Sequence, residues 1–71
     1  MIVATGKTGP VFEYDESRHF GRIKYRHNGE WVYLPPEEAD GKYLKNGDVV
    51  IFDIIIDVES EQPHATNVRR T

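Results

Sequence analysis

Apolar and polar positions alternate through much of this chain, and a two-residue period is the signature of strands that bury one face. Phe20 to Tyr25 alternates most cleanly, with Gly21, Ile23 and Tyr25 on one side and Phe20, Arg22, Lys24 and Arg26 on the other. Asn28-Gly29 follows, a pair that accepts positive φ at both positions and therefore favours a tight hairpin. Trp31 to Leu34 is then the returning strand, ended by Pro35-Pro36. Upstream, Val11 to Tyr14 opens an extended run; Pro10 before it suits only an edge or first-strand position, because proline has no amide hydrogen for a ladder. Pro35 to Gly47 shows no period and reads as a long loop containing a helical turn, closed by Asn46-Gly47-Asp48. Val49 to Val58 is too rich in β-branched residues for a comfortable helix and is expected to be the longest strand, with Asp53 and Asp57 spaced to share one face. Glu59 to Pro63 turns the chain into a short last strand, His64 to Arg70. Five strands, an early hairpin and a long third connection predict an all-β fold, a five-stranded antiparallel Greek-key barrel.

Length changes this picture little: 71 residues allow one domain, 1–71, with a single core and little room for a buried catalytic cavity. The chain has no cysteine, so neither a disulfide nor a thiolate metal site holds it together. Its apolar runs, Val49 to Phe52 and Ile54 to Ile56, are far shorter than a membrane span, and no basic segment followed by an apolar one opens the chain. A soluble, unprocessed, cytoplasmic protein without membrane association is expected. Charge matters through its distribution. The net charge of −3 argues against bulk attraction for polyanions. Between Ser17 and His27, however, stand Arg18, Arg22, Lys24 and Arg26 with no acidic residue, leaving 5 basic against 12 acidic residues elsewhere. One stripe is basic on an acidic body.

Enzyme chemistry finds no constellation. His19, His27 and His64 are far apart, no Ser/His/Asp order or metal-ligand spacing occurs, and Glu37-Glu38 reads as a solvated loop pair. No catalytic residue, metal or cofactor is expected.

Several segments together carry a family resemblance. Thr8-Gly9-Pro10-Val11, Tyr14-Asp15, Phe20-Gly21-Arg22-Ile23, Leu44 to Asp53 and Pro63 to Val68 follow one another in the order and nearly the spacing of a cold-shock domain, from about residue 8 to residue 70. The most specific part is Leu-x-x-Gly-Asp-x-Val-x-Phe-Asp followed by Pro-x-Ala-x-Asn-Val. The chain thus resembles the cold-shock family, which implies an oligonucleotide-binding (OB) barrel that binds single-stranded RNA or DNA. In that family two ribonucleoprotein-like motifs present aromatic rings to unstacked bases. An aromatic face stacks on any base for roughly 1–3 kcal/mol, while nearby cations neutralise phosphate.

The departures from the family are informative. Its Lys-Gly-Phe-Gly-Phe reads Arg18-His19-Phe20-Gly21-Arg22, so one platform survives as Phe20 and the next is a guanidinium, which can itself stack. The family's upstream Trp falls on Glu13, whose carboxylate repels phosphate, and the following Phe falls on Tyr14. The second motif falls on Trp31 to Pro36, with Trp31 and Tyr33 on the outer face and prolines in place of its His and second Phe; Tyr43 stands near a loop aromatic. The resemblance and the basic stripe together assign binding to Phe20, Arg22, Lys24, Arg26, Trp31, Tyr33, Arg18, Tyr14 and Tyr43, with weaker affinity than the family norm. The resemblance also turns Val50, Phe52, Ile54 and Ile56 inward, leaving Val49, Ile51 and Ile55 on an unusually apolar outer face with the aspartates at its rim. The rival expectation is a protein contact there, a weak homodimer or a protein partner, unless Met1 to Val3 or local twist covers it.

Overall fold

The protein, as a computed structural model, is described over residues 1–39 and 42–71. The alternating segments form five strands, β1 (Ile2–Asp15), β2 (Phe20–His27), β3 (Glu30–Leu34), β4 (Val49–Ile56) and β5 (Pro63–Arg70). One helical turn, α1 (Pro36–Ala39), lies in the third connection. The strands close in the order β1-β2-β3-β5-β4, an all-β barrel of OB-fold-like form. All adjacent pairs are antiparallel except β3 and β5, which meet in parallel with Tyr33 opposite His64.

The longest strand is β1 with 14 residues; β4, expected to be longest, has eight. The reason is tertiary. Residues 2–10 include Gly6, Gly9 and Pro10 and have little strand pattern of their own, yet they pair with β4 from Ile2 opposite Ile55 to Pro10 opposite Val49. From Val11 onward β1 pairs with β2 instead. Pro10 therefore sits inside a strand, at the handover between two ladders, where its missing N–H costs least.

Val11, Ile23, Val32, Leu34, Val50, Phe52, Ile54, Ala65 and Val68 fill the barrel, and Ala39 of α1 and Leu44 close it. Tyr25 meets Phe52 edge-on at 5.7 Å between centroids. Ile56, expected inside, is only half-buried. Asp53 departs most from expectation: its outward position is buried, with 8% of its surface exposed. The cause is a bulge on each neighbouring strand, one near Gly6 (φ 65°) in β1 and one near Asn67 (φ 55°) in β5. The Asp53 carboxylate lies between them, accepting the Gly6 N–H at 3.0 Å and the Asn67 Nδ2–H at 3.3 Å. These two hydrogen bonds, Gly6 first, hold its pKa below the ordinary carboxylate value.

Candidate nucleic-acid interface

The candidate face is built on a third bulge. Between Phe12, opposite Arg22, and Asp15, opposite Phe20, β1 carries one residue more than β2, and Glu13 takes the left-handed conformation with φ 50°. The extra residue turns the Tyr14 side chain inward, where it is 7% exposed. Burial, with lesser repulsion from Glu16 and Asp15, raises its phenolic pKa. Asn46 satisfies the displaced backbone, its Oδ1 accepting the Tyr14 N–H at 2.8 Å and its Nδ2 donating to the Tyr14 carbonyl at 3.1 Å. Tyr14 is thus a core residue and offers no ring to a base.

Outside this bulge the register aligns one cross-strand row. Phe12 stands opposite Arg22, Arg22 opposite Tyr33, and Tyr33 opposite His64. Period two then sends these side chains to the same, outer, face. Phe20 lies beside the row with its ring centroid 6.5 Å from Tyr33, and His64 lies 5.0 Å from Tyr33 on the other side. Trp31 meets Phe12 edge-on at 5.3 Å, and the Arg26 guanidinium carbon lies 4.3 Å above the Trp31 ring centroid. That cation–π contact holds the indole at a fixed angle. Phe20, Arg22, Arg26, Trp31 and Tyr33 line an open groove of about 680 Å³, with Glu13, Glu30 and Gln62 on its walls.

Electrostatically the groove is balanced, two guanidiniums against two carboxylates. Arg22 Nη1 lies 3.5 Å from Glu13 Oε1, both side chains more than half exposed, so this ion pair contributes little to stability. Its effect is on charge: the carboxylate occupies one side of a guanidinium that would otherwise face the groove. Among the described residues no three His, Asp or Glu side chains gather as a metal would require.

Of the residues singled out from sequence, Phe20, Arg22, Arg26, Trp31 and Tyr33 come together in the groove. Lys24 is exposed on the same side of β2, in the irregular stretch between Ile23 and Arg26, and does not line it. Arg18 lies in the turn after β1, its Nε 3.8 Å from Asp15 Oδ2. Tyr43 is 83% exposed, its carbonyl accepting from the Arg70 guanidinium, outside the groove's lining. On the outer side of β4, Val49 is 45% exposed, while Ile51 and Ile55 are half-buried. Ile2 to Pro10 flank β4 as a paired strand rather than lying over it as a lid. Ile55 pairs with His64 and belongs to the row just described.

Phe12 and His64 join this face without any mark in the sequence that places them there. Phe12 shares parity with no cation in its own strand, and His64 reaches Tyr33 only through the parallel closure. No local pattern encodes either. With them the face is more aromatic than the sequence suggested. In comparisons with known proteins, no family model and no curated protein matches the chain.

Proposed function

We propose that this barrel binds single-stranded RNA or DNA across β1, β2, β3 and the start of β5, and that it is a divergent relative of the cold-shock domains. The observation that carries the reading is the row of rings interleaved with guanidiniums. Phe20, Tyr33 and His64 stand 6.5 and 5.0 Å apart, wider than the roughly 3.4 Å rise of a stacked strand. Bases drawn apart by that spacing each find a separate ring, the arrangement by which single strands are held without base-pair readout. Arg22 and Arg26 stand among the rings where phosphates would pass. A protein-contact role for the outer side of β4 has less support, because the buried Asp53 interrupts its apolar positions and Ile55 turns toward His64.

Trp31 is the only tryptophan, so its fluorescence reports on the groove directly. Adding a short single-stranded oligonucleotide is expected to quench it. Phe20→Ala and Tyr33→Ala should each weaken binding by roughly 1–3 kcal/mol, the stacking of one base. With Arg22 already paired to Glu13 and Arg26 left to neutralise one phosphate, log K should fall against log salt with a slope of about −0.7. Unchanged affinity in both variants would remove the face from the account.

A further inference from the structure

The row of outer residues does not end at His64, but its chemistry changes there. His64 pairs with Ile55, and Ile55 with Ile2, so the next positions are aliphatic and offer no π-face. Tyr33 and His64 also form one wall of a second, smaller groove of about 400 Å³ whose other walls carry Glu37, Glu38 and Asp57. No lysine or arginine is among the described residues that line it. The first groove is thus electrically balanced, and the second is acidic. The Asp57 carboxylate is fixed as an anion: hydrogen bonds from the Ser60 N–H at 2.9 Å and its hydroxyl at 2.8 Å hold its pKa low. Glu38 is tied to β5 through the Thr66 hydroxyl and the Val68 N–H, at 3.4 and 3.3 Å. Glu37 is exposed on α1 and free to face an incoming chain. A polyanion that has crossed Tyr33 therefore meets carboxylates instead of cations. At the opposite end Trp31 is followed by the turn at Asn28-Gly29, and Glu30 lines the groove there.

We propose that the binding face is short and closed at both ends, taking about four nucleotides, one each at Trp31, Phe20, Tyr33 and His64, with His64 the last platform and the carboxylates of Glu37 and Asp57 excluding the next phosphate. Four is at the low end of what an OB barrel holds. The inference rests on the single-strand reading above and gives it a length: the protein takes loops, ends and short gaps equally well and gains nothing from a long strand except more places to bind. The rings end at His64 and the acidic wall stops the next phosphate, so the length limit is set by chemistry and not by missing space.

A length series of oligodeoxythymidylates, from the dinucleotide to the decanucleotide, tests this by Trp31 fluorescence at fixed ionic strength. For the wild-type protein, affinity should climb about 5- to 150-fold for each base newly stacked up to the tetranucleotide. Beyond that it should rise only in proportion to the number of registers. His64→Ala should move the break to the trinucleotide. Glu37→Lys, which changes no ring, should let affinity climb past the tetranucleotide. A steady climb beyond six nucleotides in the wild-type protein, or a break that neither variant moves, overturns the closed footprint while leaving the face intact. Absence of binding at every length overturns the single-strand reading itself.

Discussion

A β-carbon at position 21 would lie 2.6 Å from the Tyr14 Cα, closer than side-chain carbons approach backbone. That contact exists because β1 bulges at Glu13 and presses Tyr14 against β2 at Gly21, between Phe20 and Arg22. Gly21→Ala must push the two strands apart, and overpacking of this kind costs roughly 1–3 kcal/mol or more. The urea midpoint should fall accordingly, with oligonucleotide affinity falling further than the loss of folded protein explains. An unchanged midpoint would show that the approach is looser than described. Residue by residue, the sequence pointed correctly to Phe20, Arg22, Trp31 and Tyr33 as outward-facing, because alternation within one strand is a local property. It misassigned Tyr14, since one inserted residue reverses the parity of everything beyond it. Nothing in the sequence at Glu13 announces that insertion.

Among the elements, the legible ones are those whose own residues favour a strand. β2, β3 and β5 begin and end within two residues of where turns and alternation place them. The first half of β1 was invisible because it is held by β4 and not by its own propensities. Bulges explain the other surprise, Asp53, which joins β1 to β5 across the central β4. Its folded-state pKa, like those of Asp15, held by Ser17, and Asp57, held by Ser60, lies below the ordinary value. The unfolded chain therefore binds protons first as pH falls. The stability these carboxylates contribute is present in full above the unfolded value of about 3.9 and is lost as pH drops through their folded values. The melting temperature should thus hold steady near neutrality and decline on acidification below about pH 4. Asp53→Asn should lower it at neutral pH, since an amide donor then faces the Asn67 amide, and should make the acid decline shallower. An acid decline identical in the variant would mean that Asp53 binds its proton equally well folded and unfolded.

For the whole molecule, a net charge of −3 means that long-range attraction cannot bring a polyanion to the surface. On the proposed reading, recognition rests on close contact at one side of the barrel, where rings and guanidiniums are gathered and carboxylates stand at the ends. The barrel was readable from composition, turn signals and β-branched runs. The assembly of its face was not, because Phe12 joins the row only through the register of β1 on β2, and His64 reaches Tyr33 only when β3 and β5 pair. The measurement that bears most directly on the account is a map of backbone-amide and Trp31 indole shifts on adding a short single-stranded oligonucleotide to the folded protein. The changes are expected to gather on Phe12, Phe20, Arg22, Arg26, Trp31, Tyr33 and His64, and to leave Tyr43, Val49 and Ile51 unmoved. Shifts centred on Val49 and Ile51, or none at saturating oligonucleotide, would contradict it.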